Sequence, residues 1–447
     1  MMNHGSEVMD IVFGMDPQWY AGILFILAYL LIMSDRINRA IISLSAAGLM
    51  ILGGVLTQEA AMEGIDFNTI GLLTGMMIIV AITKQSGIFQ YLAIWSAKRV
   101  GASPWGILVM LSLVTAVLSA LLDNVTTVLL IAPVTLLITD SLKVNPYPYL
   151  FAQIFSANIG GTATLIGDPP NIMIGSAVGL SFNDFIINLG PIVAILLPII
   201  FIPIYLIWGR KLTASTEARQ RVMNYNEADA ITDKRLLWQS SIVMALVMMG
   251  FIMAHDIHQE PATIAMFGAA MLLLISNLPR SPSEQSKEIE HTFAQVEWIT
   301  IFFFIGLFIL VYGVEKTGLL EMLAYKVMDM TGGDPKLTTI SILWTSAIAS
   351  ALVDNIPFVA TMIPMIQNMG GMLDGPQGLM PLWWALALGS CLGGNGSLVG
   401  ASANLLVAGF AERAGHPVRF LPFMLIAFPL MLGTIAISTV YIYLRYL

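Results

Sequence analysis

The chain has a single cysteine, Cys391, among 447 residues. That excludes an intramolecular disulfide and any metal site built from several thiolates. Charge is scarce as well: Asp, Glu, Lys and Arg make up 11% of the chain, against about 25% in a soluble domain. With 57% hydrophobic residues and a mean hydropathy of +0.82, this composition excludes a water-soluble protein. No basic cluster with interleaved aromatics is present, which argues against a nucleic-acid partner, and the net charge of −8 reflects acidic loops. No Gly-Lys-Ser/Thr follows the glycine-rich runs, so they are not phosphate loops. Before Ala21 stand Glu7, Asp10 and Asp16, with neither a basic n-region nor a small-residue cleavage site, and the first helix is expected to be retained.

What the chain does have is a succession of apolar runs long enough to cross about 30 Å of hydrocarbon as helices. Spans are expected near Ala21 to Met33, Ala40 to Leu56 and Asn68 to Ile82. An amphipathic piece ending at Lys98 and Arg99 follows, then Trp105 to Leu122 and Val125 to Ile138, separated by Asp123 and Asn124. The second of these arms reads as too short to span, and both outer ends carry basic residues, so the two form a re-entrant hairpin. Tyr149 to Ala177 is interrupted by a run from Gly160 to Asn171 whose two prolines forbid a continuous helix. Ile187 to Trp208 completes the half. A polar stretch then divides the chain into a first half (1–208), a cytoplasmic linker (209–236) and a second half (237–447).

The second half repeats the first. Asp354-Asn355 follows Asp123-Asn124 at a separation of 231 (354 minus 123), and Asp66 and Glu297, Gly87 and Gly318, and Pro133 and Pro364 keep that register. After a shift of two, Gly160-Gly161 matches Gly393-Gly394, Gly167 matches Gly400 and Asn171 matches Asn404. The expected fold is therefore all-α and polytopic, with two repeats of five transmembrane helices each, one of them broken, plus one re-entrant hairpin. Five crossings is an odd number, so the repeats are inverted. Under this count Arg36, Arg39, Lys98, Arg99, the linker, Arg280, Lys287, Arg413 and Arg419 fall on one face, and Glu59, Glu63, Asp66, Asp184, Asp256, Glu260 and Asp374 on the other. The basic face is expected to be cytoplasmic, which puts both termini in the periplasm of a bacterial inner membrane. His255 and His258 share an external loop and read as solvated.

In hydrocarbon, non-helical backbone survives only where it is buried in protein or lines a wet cavity. Two hairpin tips and two glycine-rich breaks in matching places therefore mark one cavity, of the kind inverted-repeat transporters build from exposed helix ends without cofactors. Asp123 and Asp354, buried in apolar runs, each cost at least ~2.5–3.5 kcal/mol at the centre of an isolated span. They read as proton or cation carriers, or else as helix N-caps. Asp168 is a third candidate, although its repeat counterpart is Ala401. Asn124, Thr126, Thr127, Gly161, Thr162, Asn171, Asn355, Gly394, Asn395, Ser397, Ser402 and Asn404 supply neutral donors and acceptors around them, with caps and interhelical hydrogen bonds as the plainer reading. Asn158 and Gln153 are weaker candidates. Cys391 reads as a packing residue, and Arg36, Arg39 and Arg413 as orientation charges. No cofactor and no metal site is expected.

At these motifs the sequence resembles the ion transporter superfamily, and within it the branch holding bacterial arsenite efflux permeases, NhaD-type sodium/proton antiporters and the melanosomal P protein. The likeness rests on SALLDNVTTVLLIAPV (Ser119 to Val134), NIGGTATLIGDPPN (Asn158 to Asn171), SALVDNIPF (Ser350 to Phe358) and GGNGSLVGASAN (Gly393 to Asn404). It implies a homodimer in which each protomer has a scaffold domain and a transport domain that carries the hairpins in an elevator-like displacement. Where the dicarboxylate branch has Ser-Asn-Thr at its tips, this chain has Asp123-Asn124-Val125 and Asp354-Asn355-Ile356. Two carboxylates repel a dianion, so a neutral or cationic cargo is expected. The leading expectation is export of arsenite or antimonite by proton exchange. Sodium/proton antiport and an uncoupled small-solute channel are the alternatives, and a soluble ATPase docking on the linker is a further possible partner.

Overall fold

Backbone groups in hydrocarbon have no water to bond, so apolar runs close their own hydrogen bonds as helices; among the described residues there is no strand. The computed structural model describes residues 14–34, 36–373 and 375–447. Glu7, Asp10 and Asp374, which the sequence places among the acidic loop residues, lie outside the described residues. The first repeat contains α1 (Pro17–Ser34), α2 (Arg39–Leu52), α3 (Gln58–Glu63), α4 (Phe67–Lys84), α5 (Ile88–Arg99), α6 (Pro104–Leu121), α7 (Asn124–Leu142), α8 (Tyr147–Gly161), α9 (Pro169–Val178) and α10 (Phe182–Ile207). After α11 (Thr216–Met223), the series recurs as α12 (Lys234–Met253), α13 (Pro261–Asn277), α14 (Pro282–Ala294), α15 (Trp298–Lys316), α16 (Leu319–Met330), α17 (Pro335–Leu352), α18 (Asn355–Asn368), α19 (Gly375–Gly393), α20 (Ser402–Arg413) and α21 (Phe420–Tyr446). The chain is an all-α polytopic membrane protein of two inverted repeats, as its sequence periodicity implies.

The repeat holds at the level of backbone geometry. Gly87 and Gly318 open α5 and α16 with φ of 81° and 76°, a left-handed conformation that costs an L-residue about 1–2 kcal/mol. In each repeat the broken helix lies against the first hairpin arm at a glycine. A β-carbon on Gly160 would come within 2.2 Å of the Ala116 carbonyl oxygen, and one on Gly393 within 2.6 Å of that of Ala347.

Neither repeat stands alone. α2 packs along α15 and α13 along α4, while the return arm α7 packs on α20 and its counterpart α18 on α9. α4 and α15 bury most of their side chains, whereas α1, α10, α12 and α21 leave most of theirs exposed or half-buried on the outside, where lipid replaces water.

Two expectations change. α2 ends at Leu52, short of the expected Leu56, because Gly53 and Gly54 turn the chain there; its 14 residues span about 21 Å at 1.5 Å per residue. In the other direction, α7 runs for 19 residues and is long and apolar enough to cross. Arm length therefore does not make the first pair a hairpin. The tip does, because Asp123 and Asn124 are buried beside the break of their own repeat.

The polar stretch read as a linker is ordered as a strap across the base of the first hairpin. Arg219 donates to the Gly101 carbonyl at 2.8 Å, Lys98 pairs with Glu227 and donates to the Tyr225 carbonyl at 3.0 Å, and Tyr225 and Ser141 share a hydroxyl bond of 2.6 Å.

Candidate functional site

Each tip is pinned by the backbone of the break beside it. Asn124 N–H donates to the Gly167 carbonyl at 3.1 Å and, in the second repeat, Asn355 N–H donates to that of Gly400 at 3.3 Å. Hydroxyls reinforce the join in matching places: Ser119 donates to the Ala157 carbonyl and Ser350 to that of Ser390, both at 2.6 Å. Thr164 likewise donates to the Ala120 carbonyl at 2.5 Å and Ser397 to that of Ala351 at 2.6 Å.

The breaks are held open by asparagine. Asn171 directs its amide at the carbonyls of Gly161, Thr162 and Thr164, at 3.4, 3.1 and 2.9 Å. Asn404 does the same for Gly394 and Ser397, at 2.7 and 2.8 Å. Carbonyls that a helix would have paired internally are satisfied by a side chain, which lets the chain stay unwound at this depth. Thr162 returns its hydroxyl to the Asn158 carbonyl at 2.7 Å.

Between the breaks the two repeats meet. Asn158 accepts from Asn124 and donates to Asn395 and Asn404, each at 3.1 Å. Asn355 donates to Asp168 Oδ1 at 3.2 Å. Asp123, Asp168, Asn124, Asn158, Asn355 and Asn395 are all buried. Asp168 Oδ2, Asn124 Oδ1, Thr127 Oγ1 and Asn395 Nδ2 have no hydrogen-bond partner among the described residues. A buried polar atom left unpaired costs about 1–3 kcal/mol; six more occur elsewhere among the described residues, Gln153 Oε1 and Ser156 Oγ on α8 included, and these four are distinguished by lying on the residues of the tips and breaks.

The carboxylates differ. Asp123 caps α7, accepting from Thr126 N–H at 2.7 Å and from its hydroxyl at 2.5 Å. Asp354 caps α18 through Ile356 N–H at 3.1 Å and forms an ion pair with Arg39 at 2.8 Å; Ser402 donates to the same Oδ2 at 2.8 Å. Of the anticipated residues, Gln153 stands apart, donating to Thr135 Oγ1 at 2.6 Å; the others fall in or beside one cluster, where Gly161 and Gly394 contribute carbonyls and Thr162 and Ser397 brace backbone.

Two clefts occupy related places in the two repeats and share most, though not all, of their lining positions. One, of about 190 Å³, lies between α4 and α7 and includes Met77, Val80, Lys84, Thr126 and Glu297. The other, of about 250 Å³, lies between α15 and α18 and includes the repeat equivalents Phe308, Val311, Glu315 and Asp66. Because the repeats are inverted, the clefts open toward opposite sides of the membrane.

The family model for citrate transporters (CitMHS) matches residues 29–389. This chain belongs to the CitMHS family. An uncharacterized transporter of Mycobacterium tuberculosis is 43% identical over 427 residues, covering 95% of this chain and 97% of the relative. The human P protein is 31% identical, across 93% of this chain and 58% of its own length. Among solved structures, the YdaH transporter of Alcanivorax borkumensis aligns with a TM-score of 0.55 at 18% identity, covering 97% of this chain and 99% of the other. MtrF of Neisseria gonorrhoeae aligns at 0.57 and 11%, covering 97% and 95%. These two show the fold. Family and relatives make the CitMHS chain a multi-pass membrane transporter.

Sequence reasoning underrates two residues. Asn158 reads as a weak candidate, yet it is the hub of the amide network; the available signal is a polar side chain one turn before the glycine pair that ends α8, a helix buried over its whole length from Pro148. Arg39 reads as an orientation charge, but the structure turns it inward. A cation on the first residue of a helix opposes the helix dipole, and that conflict is the clue.

Proposed function

We propose that this CitMHS protein is a secondary exporter that exchanges protons for a small neutral inorganic solute, with arsenite or antimonite as the favoured cargo. The observation that carries this reading is the buried centre itself: neutral amides from both repeats beside Asp168, whose Oδ2 has no partner. Amides and hydroxyls suit a neutral trihydroxide. A carboxylate with one free oxygen suits a travelling proton.

Citrate, for which the family is named, carries up to three negative charges. Here it would meet Asp123, Asp168 and Asp354, of which, among the described residues, Asp354 alone is paired with a cation. That balance favours a neutral or cationic cargo. A second reading, sodium/proton antiport, draws on the unpartnered oxygens Asp168 Oδ2, Asn124 Oδ1 and Thr127 Oγ1, since hard cations take oxygen ligands. With the basic loops on the cytoplasmic face of a bacterial inner membrane, an entering proton gains about 2.3 kcal/mol per 100 mV and about 1.36 per pH unit, enough to drive a neutral solute outward.

The test is flux in proteoliposomes under an imposed pH gradient, with arsenite, Na⁺ and citrate as separate cargoes. Arsenite accumulation that needs the gradient supports the first reading, and Na⁺ exchange without arsenite movement replaces it with the second. Citrate uptake alone refutes both, and solute flow indifferent to protons identifies a channel.

A further inference from the structure

Asp123 and Asp354 occupy the same place in the two repeats, yet among the described residues only Asp354 meets a cation. Both oxygens of Asp123 are taken by Thr126. The counterpart of Thr126 is Pro357, which has neither a hydroxyl nor an N–H, so Asp354 Oδ2 is left to partners from elsewhere. It receives Ser402, standing where the first repeat has Pro169, and Arg39. α13 begins with Pro261 where its counterpart α2 begins with Arg39, so among the described residues no second arginine serves Asp123.

Arg39 is anchored away from the tip. Its guanidinium lies 5.0 Å from the centre of the Phe303 ring and its Nη2 reaches Thr300 Oγ1 at 3.4 Å, both on α15. Its Nη1 holds Asp354 and Ser402, on the tip of the second hairpin and at the start of α20. One side chain thus ties α2 and α15 to the two elements that form the polar centre.

We propose that Arg39 is a tethered counter-cation. It occupies Asp354 in place of the coupling ion and locks the second hairpin tip to α2 and α15 until positive charge arrives at Asp354 Oδ2. That charge is either a proton on the carboxylate or a small monovalent cation beside it. When a proton binds, it adds to the carboxylate oxygen and Arg39 keeps its charge, turning toward Glu297, which shares Thr300 with it. Among the described residues the charged groups facing Asp354 are Arg39 from α2 and Asp168 from the break before α9, while Glu297, at the head of α15, faces Arg39 and Asp123. Tyr29 of α1 meets the same arm at the Pro357 carbonyl and Thr361. The lock stops the tip from moving with Asp354 unneutralised, and so stops solute crossing without its coupling ion. Its transport consequence rests on the exchange reading above; the lock itself rests on geometry.

A cargo-free measurement separates the two. Tyr29 and Thr361 face each other across the same seam at 2.7 Å, hydroxyl to hydroxyl, and touch neither carboxylate. In the full chain in liposomes, Tyr29→Cys with Thr361→Cys is treated with a bifunctional thiol reagent; Cys391 is buried and can remain. At pH 8 without sodium the pair should cross-link readily. Lowering the pH, or adding Na⁺ at constant pH, should slow the reaction about fivefold, the effect of losing a partly exposed ion pair; the arm that responds identifies the displacing ion. Arg39→Gln should cross-link at the slow rate throughout, and Arg39→Lys should keep the response. Parent-like cross-linking in Arg39→Gln, or a parent that answers neither acid nor Na⁺, overturns the lock. In the flux assay Arg39→Gln should let solute run down its own gradient about fivefold faster without a pH gradient. A parent that moves none of the cargoes defeats the exchange reading and leaves the cross-linking outcome to decide the lock by itself.

Discussion

Asn158 donates its side-chain amide to Asn404 across the two repeats at 3.1 Å. Its repeat counterpart Cys391 donates to Asn171, the counterpart of Asn404, at 3.4 Å. One position in each broken helix therefore reaches over to the asparagine that holds open the other repeat's break, and the two breaks are built as one object. The chemistry of the pair is unequal, since an amide can serve three partners where a thiol serves one weakly.

Asn158→Ala should therefore cost more than Cys391→Ala. It strands Asn124 Nδ2, Asn395 Oδ1 and Asn404 Oδ1. Because hydrogen bonds inside membranes average about 0.6 kcal/mol, a loss of about 1–3 kcal/mol is expected in thermal unfolding of the purified protein. A melting temperature equal to the parent's would mean that the network does not join the repeats.

Asp168→Asn should separate stability from coupling. The amide keeps an acceptor for Asn355 and removes a buried carboxylate oxygen with no partner, so unfolding should be unchanged or raised. Solute accumulation under a pH gradient should fall by about tenfold or more, the scale of losing one carried proton. Undiminished accumulation would take Asp168 out of the coupling step.

Alanine at the paired glycines should damage folding in both repeats. A methyl on Gly160 or Gly393 runs into a carbonyl oxygen of the neighbouring arm, and backbone cannot swing aside, so about 1–3 kcal/mol of overpacking is expected. Gly433→Ala has nothing within 4 Å of the added carbon and is the control. The check is monodisperse yield on size exclusion, together with thermal stability.

The strap should loosen in acid. The hydrogen bond from Lys98 holds the Glu227 carboxyl below its usual range. A depressed carboxyl contributes fully above the ordinary glutamate value of about 4.3, and the contribution is lost as pH falls through its lower folded value. Glu227→Gln should then expose residues 212–233 to protease at neutral pH, as acid does for the parent. Equal resistance of variant and parent at neutral pH would show that other contacts hold the strap.

The sequence alone determined the helical class, the repeat and its inversion, because these follow from local quantities. Apolar length decides what can cross a membrane, proline and glycine decide where a helix must stop, and a constant spacing between Asp-Asn pairs survives without any knowledge of contacts. Arm length was a poorer guide: α7 is long enough to span, and only the burial of Asp123 and Asn124 against Gly167 marks its start as a tip. Tertiary structure alone decided how one repeat completes the other. That Asn158 faces Asn404, and that Arg39 turns inward to Asp354 while Pro261 stands at the matching helix start of the other repeat, are relations between residues far apart in the chain. Side-chain direction at such distances is set by packing, and no periodicity records it.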